Sequence, residues 1–238
     1  MYSRKVGDEV LEFGHEGVLY RRSFIMYDKQ TESLWLHVTG EALKGPMKGT
    51  TLDFIPSEVV PWKSWRTRHP FTKVLLGEKA KGFMGSYFVE DPDRSFGLSV
   101  GQGREVRLYD FALMRVVPVM NDSFAGKPVV IAWHEATLNA AAFVARADGR
   151  DLRFEAVVGG DDPRFMRDSE TGSIWDRVKG ECVDGELKGR ELMRLPTVPW
   201  LVERWLGFFP EGTRRALPDS LKPAVAEKAE EAAGAEGH

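Results

Sequence analysis

Apolar and polar residues alternate over short runs, and the runs are bounded by glycine, proline, asparagine and aspartate. That pattern predicts half-buried strands joined by turns rather than long helices. "SFIMYD" (23–28) and "SLWLHVTG" (33–40) flank a polar turn at 28–33. "YSRKV" and "EVLEF" flank Gly7-Asp8 as a hairpin, and "FGLSVG" and "EVRLYDF" flank Gln102-Gly103 as another. "PVVIAW" (128–133) is continuously apolar and predicts a buried strand. "TTLDFIP" (50–56) predicts one more short strand, entered through the loop "KGPMKG". "PWKSWRTRHP" (61–70) predicts a short helix, begun by Pro61 and stopped at His69-Pro70. Trp62 and Trp65 would share a face of it and pack on the sheet. The predicted class is mainly β, with an α+β character from these short helices.

The pattern is written twice. Shifted by 140 positions, Asp28, Thr31, Ser33 and Trp35 fall on Asp168, Thr171, Ser173 and Trp175. Gly40, Glu41, Gly45, Lys48, Gly49, Leu52, Trp65 and Pro70 likewise fall on identical residues. About a third of the ungapped window 28–70 is identical, which marks an internal duplication. Upstream, "RKVGDEVLEF" (4–13) resembles "ARADGRDLRF" (145–154) with a one-residue slip. The predicted organisation is an incomplete first repeat (1–80), a complete second repeat (95–213) and an Ala/Glu-rich disordered tail (214–238). "KGFMGSYFVEDPDRS" (81–95) would be the loop between the repeats. The second repeat has strands ahead of its hairpin that the first lacks. The first repeat is therefore expected to expose an N-terminal edge, prone to self-association.

Composition narrows the function classes. With 238 residues, net charge −3 and scattered lysine and arginine, nothing predicts a nucleic-acid surface. No apolar run is long enough to span a bilayer, and no signal peptide is visible at the N-terminus. The single cysteine, Cys182, excludes an intrachain disulfide and a cysteine metal cage. The five histidines show no metal-type spacing, so neither metal nor cofactor is expected.

Several polar residues are candidate ligand-binding groups. Asp28, Thr31 and Ser33, echoed by Asp168, Thr171 and Ser173, offer a carboxylate and two hydroxyls to a ligand or a proton. The competing reading is turn chemistry, in which Asp accepts from backbone N–H groups two or three residues on. Gly172 standing opposite Glu32 favours the turn, because it suggests a positive φ. Trp35 and Trp175 alternate with polar neighbours as core residues do. Glu41 and Glu181 recur beside glycines. They would do acid–base work only if packing brought them together, and are otherwise solvated loop carboxylates. Asn121 and Asp122 precede a glycine turn between apolar strands, again a site or a turn. Cys182 stands where the first repeat has Ala42, which predicts a small buried filler. "GQGREV" lacks a third glycine and a following helix, so it is a hairpin and not a dinucleotide loop.

The run "LYRRSFIMYDKQTESLWLHVTGEALKGPMKGTTLDFIPSEVVPWKSWRTRHPFTKVL" resembles the prokaryotic family called domain of unknown function 3179. That family's pattern runs Y-D-x-x-T-x-S-L-W, G-E-A, G-P-L-x-G, then W-x-x-x-H-P. "VVPVMNDSFAGKPVVIAW" and "DSETGSIW" are similar to its second half, so the resemblance covers about residues 2 to 213. It implies no activity. It implies an N-terminal truncation, since members usually carry an upstream segment similar to 97–142, often with a C-P-x-C motif. His134 and Thr137 stand where those cysteines would fall, and Arg21 where asparagine is common. Many members look exported, which leaves the compartment open. Two functions follow as expectations: a non-catalytic binding or scaffold module, or an enzyme or small-ligand binder with a polar cleft between the repeats. A metal or thiol role lost with the cysteine motif is a third.

Overall fold

The computed structural model describes residues 1–55, 57, 62–74, 96–103, 105–137, 139–157 and 163–221. The first repeat opens with the two-stranded hairpin β1 (Lys5–Val6) and β2 (Glu9–Val10). A four-stranded antiparallel meander follows: β3 (Phe13–Tyr20), β4 (Ser23–Asp28), β5 (Leu34–Leu36) and β6 (Glu41–Lys44). Helix α1 (Trp62–Arg68) ends the repeat.

The second repeat begins with β7 (Phe96–Gln102), β8 (Glu105–Asp110) and α2 (Phe111–Val116). Next come β9 (Val119–Phe124), β10 (Lys127–His134) and β11 (Asn139–Val144), which form a three-stranded sheet. The hairpin β12 (Arg146–Ala147) and β13 (Arg150–Asp151) leads into a second meander. That meander is β14 (Phe154–Ala156), β15 (Phe165–Asp168), β16 (Ile174–Asp176) and β17 (Cys182–Asp184). Strand β18 (Thr197–Leu201) pairs with β7, α3 (Val202–Phe208) follows, and β19 (Thr213–Arg215) joins β8 in parallel.

The two meanders share their register. Phe13 pairs with Asp28 as Phe154 pairs with Asp168, and Met26 faces Trp35 as Met166 faces Trp175. Ala42 and Cys182 occupy equivalent places beside those tryptophans. Both tryptophans are fully buried, as their alternation predicts. Gly45 and Gly185 have φ of 95° and 99°, and a Cβ on either would lie 2.7 Å from the Cα of Ser33 or Ser173. Only glycine fits that approach.

The central sheet β9–β10–β11 packs on both faces. One face, with Val130, Ala132 and Phe143, meets the second meander around Trp175. The other, with Val129, Ile131 and Trp133, meets β7, β8 and α2 through Leu98, Val100, Tyr109 and Met114. The predicted buried strand "PVVIAW" is thus the middle of the molecule. The side chain of Asn121 clamps the edge of β14, donating to Phe154 O at 2.8 Å and accepting from Phe154 N at 2.8 Å. Its counterpart β3 has no such clamp among the described residues. Val18, Leu19 and Tyr20 on it are 50%, 69% and 43% exposed.

Three sequence expectations differ from the structure. "TTLDFIP" forms only isolated bridges, Glu41 with Thr51 and Tyr2 with Phe54, because neighbours meet it at single points and not along a ladder. Trp62 is half exposed at 51% rather than packed on a sheet. Arg214 and Arg215, expected in a disordered tail, belong to β19, which ion pairs hold to β8 and β9. The expected inter-repeat loop (81–95) and most of the expected tail (222–238) lie outside the described residues.

Candidate functional site

The repeated Asp-Thr-Ser-Trp phrase folds the same way twice. Asp28 ends β4, and its carboxylate accepts from Thr31 N at 2.5 Å, Thr31 Oγ1 at 2.8 Å and Trp35 Nε1 at 2.8 Å. Thr31 Oγ1 and Ser33 Oγ lie 2.7 Å apart, and Ser33 Oγ accepts from Met47 N at 3.0 Å. Asp168 accepts from Thr171 N at 2.6 Å, Thr171 Oγ1 at 2.9 Å and Trp175 Nε1 at 2.8 Å, while Ser173 Oγ accepts from Leu187 N at 3.2 Å. Asp28, Asp168, Ser33 and Ser173 are fully buried. Burial alone would raise the Asp28 pKa, but hydrogen bonds from Trp35, Thr31 and Ser33 outweigh it and hold the carboxyl below its ordinary range. Glu32 adopts φ 56° where Gly172 has 71°, the shared left-handed position that the repeat suggested.

The remaining candidates lie apart from these turns. Glu41 is exposed at the start of β6, and Glu181 precedes β17 in a different sheet. Asn121 is spent on the Phe154 backbone. Asp122 accepts from Arg107 Nη1 at 2.9 Å, Tyr109 OH at 3.0 Å, Arg215 Nε at 3.0 Å and Ser123 N at 2.7 Å. Burial pushes its pKa up, but Arg215, Ser123, Tyr109 and Arg107 bring it down to about 2, from the usual 3.8. A carboxyl depressed on folding stabilises the folded state above its unfolded pKa and loses that effect as pH falls through the folded value. The Asp122 contribution is therefore complete above about pH 4 and gone near pH 2, at about 1–2 kcal/mol once screening of the exposed Arg215 is allowed for. Urea unfolding of wild type and Asp122→Asn at neutral and acid pH checks this, the gap between them closing in acid.

None of these candidate groups lines the main described cleft, which is built from a different set of residues. Between the repeats lies a cleft of about 570 Å³, within the range of small-molecule sites. One side comes from the first repeat: Tyr2, His37, Val38 and Phe54, with Arg21, Arg22 and Ser23 at the β3–β4 hairpin tip. The other comes from β7, β18 and α3: Phe96, Trp200, Leu201, Arg204 and Phe208 among them. Among the described residues the lining includes no Asp or Glu.

The hairpin tip explains how the arginines come to be there. Arg21 and Arg22 have φ of 49° and 67°, a two-residue turn that normally takes Asn-Gly. Side chains at such positions carry a backbone cost of about 1 kcal/mol each. Arg21 Nη1 donates across the cleft to Gly207 O at 2.6 Å, fixing the tip against α3. Arg22 has no ion pair among the described residues, and Arg204 has only the exposed Glu203 beside it at 3.4 Å. His37 stacks on Phe24 with ring centroids 4.0 Å apart, and its Nδ1 is buried with no hydrogen-bond partner among the described residues. Burial lowers its pKa, so the imidazole is neutral at pH 7.

Sequence reasoning passed over Arg22, His37 and Arg204, and noted Arg21 only as standing where asparagine is common. One signal was present: the 140-residue shift sets Asp161-Asp162 opposite Arg21-Arg22. Sharing the repeat fold does not demand arginine there. Cys182 is buried, its thiol pKa raised by that burial, and Sγ lies 3.3 Å from Asp184 O. Among the described residues no group of three or more His, Cys, Asp or Glu is placed to hold a metal ion, and no helix is long and apolar enough to cross a membrane.

A family model described as protein of unknown function (DUF3179) matches residues 1–96 and 84–214, in two overlapping segments as a duplication would give. No curated protein and no solved structure matches the chain. With the match covering residues 1–214 of 238, the chain belongs to the DUF3179 family.

Proposed function

We propose that the protein is a non-catalytic binding module whose cleft between the repeats takes a small anion with an apolar or aromatic body. The observation that carries this is the pairing of Arg22 and Arg204 with an aromatic wall of Tyr2, Phe54, Phe96, Trp200 and Phe208, in a cleft where the described lining residues include no carboxylate side chain. Guanidinium groups present planar donors suited to carboxylate or phosphate, and flat apolar walls take the rest of such a molecule. The non-catalytic part rests on where the candidate acids are. Asp28 and Asp168 serve their own turns, Asp122 serves two arginines and a tyrosine, and Glu41 begins β6 while Glu181 precedes β17 of another sheet.

Calorimetric titration with phenyl phosphate, benzoate and a short acyl carboxylate tests the reading. Saturable binding is expected, weakened about tenfold by Arg22→Ala and again by Arg204→Ala, about one charge-assisted hydrogen bond each. Binding indifferent to both variants, or turnover of the phosphate ester, would overturn it. A scaffold role through self-association is the second reading, favoured by the exposed Val18, Leu19 and Tyr20 on β3. Light scattering giving a monomer at all concentrations would count against that role.

A further inference from the structure

The helices that end the two repeats are equivalent in sequence and differ in setting. In α3, Val202 and Trp205 are 4% and 0% exposed and pack on Val106 and Leu108 of β8. In α1, Trp62 stands where α3 has Val202, and it is 51% exposed. Phe71 and Val74 just beyond are 94% and 55% exposed. The first repeat's segment holds its own shape instead. Trp65 Nε1 donates to Thr72 Oγ1 at 2.9 Å, the His69 ring lies 4.1 Å from the Trp65 ring, and the Arg68 guanidinium sits 5.9 Å above it.

Charge separates the two segments as well. Residues 62–74 carry Lys63, Arg66, Arg68 and Lys73 and no Asp or Glu, within a chain of net charge −3. The matching stretch 202–214 is balanced, with Glu203 and Glu211 against Arg204 and Arg214. Lys63, Arg66 and Lys73 are exposed and make no ion pair among the described residues. Neither these three cations nor the exposed rings line the cleft.

We propose that residues 62–74 dock the protein on an anionic lipid surface. Aromatic and apolar side chains standing out among cations suit the headgroup boundary, where rings enter and lysine and arginine meet lipid phosphate and carboxylate. An acidic peptide would share the charge attraction. A seven-residue helix offers too little area for an ordinary protein interface, however, and the 94% exposed Phe71 has no pocket to fill on a charged peptide.

The test is co-sedimentation of the full chain with vesicles of phosphatidylcholine alone and of phosphatidylcholine with about a third phosphatidylserine. Binding is expected to the mixed vesicles only and to fall with added salt. Lys63→Ala and Arg66→Ala should each weaken it about fivefold, and Phe71→Ala should weaken it without changing its salt dependence. These side chains are exposed, so thermal melting of each variant should match wild type. The proposal is overturned by failure to bind the mixed vesicles, by equal binding to the neutral ones, by variants that bind like wild type, or by capture on polyglutamate but not on lipid.

Discussion

Replacing Asp168 by alanine is expected to destabilise the protein by about 4 kcal/mol. The carboxylate is fully buried and accepts from a backbone N–H, a hydroxyl and an indole N–H. Its removal leaves the backbone and indole N–H groups without that acceptor, each costing about 1–3 kcal/mol before the site relaxes, while the Thr171 hydroxyl keeps Ser173 Oγ at 2.7 Å. Asp168→Asn keeps an acceptor but loses the charge, and should cost about half as much. Asp28→Ala is expected to behave alike in the first repeat, because Thr31 and Trp35 bond its carboxylate as Thr171 and Trp175 bond that of Asp168. Urea unfolding measures all three, the midpoint falling with little change of slope. A carboxylate kept for a ligand at the expense of stability would give the reverse, a variant as stable as wild type or more so.

Trp205→Ala should cost about 3–5 kcal/mol, while Trp65→Ala, at the equivalent position, should cost under about 1 kcal/mol. Trp205 is completely buried, its ring packs with Val106, Leu108 and Val202, and Nε1 donates to Ser99 Oγ at 2.8 Å. Deleting it opens a cavity and leaves Ser99 without that donor. Among the described residues Trp65 bonds and stacks only within its own segment, so its loss opens no cavity between the layers they form. Parallel thermal or urea unfolding of the two variants decides the matter. Equal losses would mean that α1 is packed as firmly as α3.

This pair also shows where sequence reading ran out. The 140-residue shift aligned the two tryptophans and predicted one role for both, since it compares residues and not what lies beneath them. In the second repeat β7, β8 and β18 lie under α3, and the chain reaches that arrangement through strands far apart in sequence. Strand β19 was missed for a related reason. "TRR" has no alternation to read, and its place depends on Asp110 and Asp122, 104 and 93 residues away.

Local chemistry was legible because its partners are local. Asp28 reaches Thr31 and Trp35, three and seven positions on, so four letters of sequence specify the turn and the repeat confirms the spacing. The alternating runs specified the meanders, because a strand with one buried face must repeat every two residues. The cleft was not legible. Arg21 meets Gly207 across 186 residues, and the aromatic wall is drawn from both repeats. Apart from the charge reversal against Asp161-Asp162, nothing in the neighbourhood of Arg21-Arg22 says what it will face. The sequence by itself determined the duplication, the strands and the turns, all built from contacts a few residues long. Only the tertiary structure decided which tryptophan is buried and which arginines converge, because burial and convergence depend on surfaces that distant segments bring together.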